Sequence, residues 1–415
     1  MPGPRRLPRN VAAASATSFL MDVSTEMVVH VLPLYLAHGL GARTAAIGLI
    51  EGGAGAAASL LRALSGWLSD RMGRRKPLAV AGYGLSALTR PALALAESWA
   101  GVGLARVVDR VGKGLRTAPR DALVADSLRA DSRGGGFGFH RAADTAGAVV
   151  GIGIALVVIR ASAGSGRVSA ELFRTLAWTS LLPAVLAVLV LQLVAREVAV
   201  RPPPGPASAA SGPSPGVRLP PAFFAFLAVV ALFDLGDLPE AFRILRADER
   251  GLGVSGILLV LLCYNLVYAS VAFPAGRLSD RIGRRRVLTA GFAMHAAAQL
   301  AFAAGPPGAW VAGPFLVQGV QQGLLAGALR AAVADLVPRE SRGTAYGVLH
   351  AVLGVLDLPA ALLAGVLWQG VGDFAGFGPR APFFFATSTS LTAAVLVGRV
   401  MGEARPGGDP EARPR

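Results

Sequence analysis

Asp22 and Glu26 stand four residues apart in SFLMDVSTEMVVHVLPLYL, a stretch otherwise apolar enough to lie in a bilayer. Four residues bring a side chain back to the same face of a helix, and ionisable groups inside a membrane are expensive and usually functional. Two carboxylates close together in a poor dielectric cannot both ionise easily, so at least one is expected to hold a proton. Taking up and giving up a proton inside a membrane is what a proton-coupled carrier requires. A second stretch, FDLGDLPEAFRIL, brings Asp234, Asp237 and Glu240 to the equivalent place later in the chain, with Arg243 near. The competing reading for these acids is structural pairing with arginine.

The opposite sign is supplied by Arg106, Arg110 and Lys113, at i, i+4 and i+7 on one helical stripe, with Asp109 beside it and Arg116 and Arg120 continuing it. The stripe is expected to neutralise Asp22, Glu26, Glu51 and Asp144, with Arg90 as a further counter-ion; its alternative use is to bind an anionic substrate. Gln318, Gln321 and Gln322, with Tyr264 and Asn265, either line a cavity or join helices. His30 and His140 read as packing or interface residues. No spacing makes a metal site, and EGGAGAAAS has no strand before it, so it reads as helix-packing surface rather than a dinucleotide loop. No nucleophile has a positioned base. Neither a cofactor nor an enzyme activity is expected.

These residues need elements that hold them in oil. At 415 residues, 53% hydrophobic and 16% charged, with mean hydropathy +0.54, the chain is expected to be an all-α polytopic membrane protein. The net charge of +15 marks cytoplasmic loops rather than a nucleic-acid partner, because the basic segments lack stacking aromatics. Cys263 is the sole cysteine, which excludes an internal disulfide. No cleavable signal peptide is expected. A spanning helix needs about 20 mostly apolar residues, and that rule predicts twelve spans: 11–37, 45–68, 77–95, 98–118, 138–160, 173–195, 221–245, 254–277, 286–304, 308–331, 346–369 and 382–401. A Pro/Ser/Gly linker at 197–220 separates a six-helix bundle at 1–196 from another at 221–402, with a tail at 403–415. Arginine and lysine fall before the first span and in turns two-three, four-five and eight-nine, so both termini and the linker are expected in the cytoplasm and the protein in the cell membrane.

The two bundles are copies. GWLSDRMGRRKPL from Gly66 and GRLSDRIGRRRVL from Gly276 agree at nine of thirteen positions, 210 residues apart, and LVADSLRADSRGGGFG from Leu123 parallels AVADLVPRESRGTAYG from Ala332. Halves with the same even number of helices run parallel and can rock about a site between them.

Gly66, Leu68, Ser69, Asp70, Arg71, Gly73, Arg74 and Arg75 match Gly-x-Leu-[Ser/Ala]-Asp-Arg-x-Gly-Arg-[Arg/Lys], and the stretch from Gly276 through Asp280, Arg281, Gly283 and Arg284 to Arg285 matches it again. On these residues the chain resembles the major facilitator superfamily over nearly its whole length. DRVGKGLRTAPRDALVADS with GFHRAADTAG is similar to a bacterial multidrug or solute efflux branch of unassigned substrate. One departure is that Ile152 follows Gly147 and Gly151 where many proton-driven exporters have proline. Gly66 lets helix two approach a neighbour. The resemblance implies a latch that joins the halves when the cytoplasmic side is closed, in which Asp70 pairs with Arg74 near Asp126, with Asp280, Arg284 and Asp335 as second-half equivalents; the alternative is that these charges only fix topology. It also implies a secondary transporter working by alternating access as a monomer, with helices one, four and seven lining a midplane site. The favoured direction is export of a small organic compound in exchange for protons. The alternatives are an importer or facilitator of an anionic metabolite and a non-transporting membrane sensor.

Overall fold

The structure, a computed structural model, describes residues 8–128, 133–162, 168–197, 219–338 and 341–403, the side chains of 70, 133–135, 273, 343 and 403 excepted. Residues 198–218 of the expected linker, the tail from 404, and Arg5, Arg6 and Arg129 lie outside the described residues. Twelve helical rods follow one another: α1 (Arg9–Gly39), α2 (Thr44–Met72), α3 (Lys76–Leu95), α4 (Trp99–Asp126), α5 (Arg133–Ala161), α6 (Ala170–Val194), α7 (Pro221–Glu249), α8 (Val254–Ile282), α9 (Arg284–Ala304), α10 (Ala312–Leu336), α11 (Arg342–Gln369) and α12 (Ala381–Glu403). Ten of these are long and apolar enough to cross a membrane. The remaining two, α4 and α10, have the length, and α4 carries the basic stripe that lowers its hydropathy. It runs eight residues beyond its expected end at 118, continuing through Pro119 to Asp126.

The apolar side chains divide between an outward face and the cores. Leu88, Val157 and Leu193 are 69%, 68% and 72% exposed, as rods facing lipid tails require. Prolines inside α3, α4, α6, α8 and α11 are tolerated because neighbouring helices satisfy the freed carbonyls. The turns between α2 and α3 and between α8 and α9 are made by Gly73 at φ 61° and Gly283 at φ 91°, a backbone region costly for any residue with a Cβ. These turns define what we call the basic end of the molecule.

At the opposite, far end the two halves share one core. A single buried cluster runs from Leu32, Leu34 and Leu36 of α1 to Phe242 and Leu245 of α7, and takes in Phe173, Phe302, Phe315 and Phe383. At the basic end the cores are separate: one cluster holds only second-half residues such as Phe226, Phe292 and Val333, and others only first-half residues such as Tyr83 and Leu191. The hydrogen bonds from Thr44 Oγ1 to the Gly365 carbonyl (3.1 Å) and from Thr44 N to Gln369 Oε1 (2.9 Å) tie α2 to α11 at the far end.

Candidate functional site

Two of the rods are broken, and the site is built at the breaks. The first turn-free stretch of α1 ends at Val29 and the chain leaves the helix at His30 and Val31 before Leu32–Leu34 and a π turn at Tyr35–Gly39. Pro33, four residues after Val29, has no N–H for that carbonyl, and its ring crowds it. In α7 the helix Pro221–Leu235 stops at Gly236, and Glu240–Glu249 begins after Pro239. A side chain at Gly236 would collide with Thr389. His30 and Glu240 stand at the two breaks and, like the two copies of the turn motif, are 210 residues apart.

Residues at equivalent positions of a duplicated chain meet only near the pseudo-twofold axis, and these two do. His30 Nε2 is 2.6 Å from Glu26 Oε2 and Nδ1 is 2.8 Å from Glu240 Oε1. The Nε2 contact has hydrogen-bond geometry and the Nδ1 contact is an ion-pair distance only; a doubly protonated imidazolium is the form that carries a proton toward both carboxylates. A second pair on the axis, His38 Nε2 to Asp248 Oδ2 at 2.7 Å, is again 210 residues apart and lies at the far end. Of the two readings left open for His30, packing or interface, the structure shows the interface one: it is 5% exposed and joins the halves. The signal that could have found it was the repeat offset itself, which sets His30 against Glu240 and His38 against Asp248.

Beside this bridge a chain of charges stays within the first half. Arg106 grips Glu51 with two bonds, Nε to Oε1 at 3.1 Å and Nη2 to Oε2 at 3.0 Å. Its Nη1 is 3.8 Å from Asp109, which accepts from Arg90 Nη2 at 3.3 Å, and Arg90 also donates to Thr25 Oγ1 at 3.1 Å. The expected neutralisation by the α4 stripe holds at Arg106 for Glu51, and Arg90 turns to Asp109. Asp144 departs from it: its Oδ1 lies 3.8 Å from His140 Nε2. His140 in turn meets Ser15 Oγ through Nδ1 at 3.3 Å. Farther along the stripe, Arg116 stacks over Tyr83 at 4.7 Å, and Arg120 binds Asp121 at 2.8 Å and Ser18 at 2.9 Å. In the second half Arg243 Nη1 donates to the Leu238 carbonyl at 2.8 Å and stands 3.5 Å from Asp237.

A cavity of about 450 Å³ lies between the halves at this level. Glu26, Glu51, Arg106, Arg110, Asp234, Asp237, Glu240 and Arg243 of the expected set line it, joined by His30; Asp22, Arg90, Asp109, Lys113 and Asp144 do not. Asp22 lies deeper toward the basic end, where the charges acting on it are Lys113, Asp144, Glu26 and Arg116. The expectation that α1, α4 and α7 form the walls is too narrow, since α2, α8 and α11 contribute Glu51, Asn265 and Asp357. Gln318 and Gln321 are buried away from the cavity. Asp357 was missed because a single acid in LDLPAAL has no partner visible in sequence.

The structure places some of the residues expected to form the latch. The side chain of Asp70 lies outside the described residues, and Arg74 is exposed. The neighbouring Arg75 is buried, donates to Ser69 Oγ at 2.7 Å and stands 3.5 Å from Asp126. In the second half Arg284 stands 2.6 Å from Asp280 and 3.4 Å from Asp335. Each of these contacts stays inside one half, so they brace a turn against its own bundle rather than bridge the bundles. A Cβ at Gly66 would stand 3.4 Å from Ala118 of α4, whereas one at Gly276 would meet no described atom within 4 Å, although a Cβ at Gly327 of α10 would stand 4.0 Å from Gly276 Cα.

Comparison with known proteins agrees with this architecture. An uncharacterized MFS-type transporter of Methanocaldococcus jannaschii is 32% identical over 401 residues, 95% of each chain. Multidrug resistance protein 2 of Bacillus subtilis is 32% identical over 175 residues, 42% of this chain and 40% of that one. Among solved structures, a peptide transporter POT superposes with TM-score 0.75 over 95% of each chain; at 14% identity that likeness concerns the fold. The profile of the Major Facilitator Superfamily matches residues 14–236 and 241–414, so the chain, a membrane protein in a group of transporters rather than enzymes, belongs to the Major Facilitator Superfamily.

Proposed function

We propose that the protein is a secondary transporter in the cell membrane, both termini cytoplasmic, that moves a small organic molecule by alternating access and is driven by protons held at Glu26, His30 and Glu240. The observation that carries this reading is the imidazole of His30 with a carboxylate at each nitrogen, one from each half. The bridge is complete only in one protonation state. A proton on Glu26 or Glu240 removes an acceptor's charge, and the loss of one from His30 removes a donor. Either change weakens a contact that exists only while α1 and α7 meet at the axis, and so shifts a two-state balance. Export in exchange for protons is the direction favoured, supported by the partial likeness to a multidrug resistance protein. Import of an anion is disfavoured because the cavity carries six carboxylates against three guanidiniums and one imidazole. A monomer suffices, since each half supplies one side of the site.

The test needs no substrate. Spin labels at Arg62→Cys and His350→Cys, in a Cys263→Ser background, report the separation of α2 and α11 on the basic side of their contact. Acidification that protonates Glu26 or Glu240 is expected to raise the fraction with these ends close together, and Glu240→Gln is expected to hold that fraction high at every pH. A single separation unchanged by pH and by Glu240→Gln refutes the reading.

A further inference from the structure

Most charges around the cavity are used up by one another, and those left over describe what the cavity lacks. Glu51 is held by Arg106, Asp109 by Arg90, Asp237 stands beside Arg243, and Glu26 and Glu240 share His30. Three lining groups remain with neither a hydrogen bond nor an ion pair to another described side chain: Arg110 from α4 of the first half, and Asp234 from α7 and Asp357 from α11 of the second. Asp234 Oδ2 is buried without a hydrogen-bond partner. Room for the Asp357 carboxylate is left by Gly55 opposite, where a Cβ would stand 2.8 Å from Oδ2. An unpaired charge this deep is costly unless a partner arrives. The signs are sorted by half: the free cation lies on one wall, both free carboxylates on the other. Val29, Ala241, Ile244 and Ala360 also line the cavity, an apolar surface for a carbon chain.

We propose that the transported molecule is a small zwitterion, its ammonium group held by Asp234 and Asp357 and its anionic group by Arg110. This rests on the transport reading above and names its substrate class. The guanidinium offers paired N–H donors to a carboxylate or a phosphate-type oxyanion, and the two carboxylates offer acceptors to the N–H groups of an ammonium. A molecule with both charges spans the cavity from one half to the other. One with a single charge leaves the opposite wall unpaired.

The test compares three compounds with the same carbon chain: ε-aminocaproate with both charges, hexylamine with the amine alone, and hexanoate with the carboxylate alone. Shorter ω-amino acids down to β-alanine vary the span. Binding to the purified full-length protein is read as an upward shift in thermal unfolding, since a ligand that binds only the folded state raises its stability. The expected result is a shift with at least one ω-amino acid that exceeds those with hexylamine and hexanoate and disappears in Arg110→Gln and in the Asp234→Asn/Asp357→Asn pair. Removing unpaired charges is not expected to impair folding, and size-exclusion profiles of the variants check this. The assignment is overturned if hexylamine or hexanoate matches the best ω-amino acid, if no ω-amino acid produces a shift, or if the shift survives in folded variants. The pH-dependent separation of Arg62→Cys and His350→Cys is measured without any of these compounds, so it still stands or falls alone if the class is wrong.

Discussion

The side chain of Arg106 is 4% exposed, and Glu51 supplies both of its short contacts. Removing one member of a buried ion pair strands the other charge, which typically costs about 3 to 5 kcal/mol. Glu51→Gln keeps the shape and one acceptor, so a loss near the lower figure, about 3 kcal/mol, is expected in thermal or denaturant unfolding. The Glu51→Gln/Arg106→Gln pair should cost less than the sum of the single changes, because neither charge is then left unpaired. Additive losses would mean that the two residues do not act on each other. The acids and arginines of this site were legible in the sequence because a charge in an apolar run is conspicuous. Their partners were not: whether Arg106 turns to Glu51 or Glu26 depends on the rotation of α4 about its axis, which spacing along one helix does not fix. His30 was passed over since a lone histidine among apolar residues looks the same whether it packs or bridges.

Between elements, α2 and α11 meet along glycines. A Cβ at Gly52 would lie 2.8 Å from Ala361 Cβ and 2.9 Å from the Asp357 carbonyl oxygen, and one at Gly365 would lie 2.6 Å from Ala45 Cα. Those distances are shorter than contacting atoms tolerate, so Gly52→Val must push the helices apart. The far-end tie between Thr44 and Gln369 should then open, read as a longer separation between labels at Thr44→Cys and Gln369→Cys. His38→Ala should do much less. His38 is 43% exposed at its side chain, and a partly exposed pair contributes at most about 1 kcal/mol. A larger opening from His38→Ala than from Gly52→Val would reverse this ranking. The twelve rods were legible because a bilayer demands long apolar runs, and their predicted ends fall within a few residues except at α4. The interruptions at His30 and Gly236 were not, because Pro33 and Pro239 allow a kink, a break or a tolerated proline, and only the packing of α1 against α7 selects the break.

Across the whole molecule the asymmetry between ends fixes which side reaches the cavity. The far end is sealed by one core common to both halves, whereas at the basic end the halves keep separate cores. With the basic turns on the cytoplasmic side, as proposed above from the distribution of arginine, this would be the state open to the cytoplasm. Val29 lines the cavity, so Val29→Cys in a Cys263→Ser background reports access to it. A charged, membrane-impermeant thiol reagent should modify it quickly in inverted vesicles and slowly in right-side-out ones. Adding Gly52→Val, which prevents the far-end helices from closing, should raise the rate in right-side-out vesicles, because sealing there depends on the same glycine contact. Fast modification from the outside in the parent protein would place the basic turns outside or make this state a minor one. Equal rates from both sides, unchanged by Gly52→Val, would mean that the shared core does not seal the cavity.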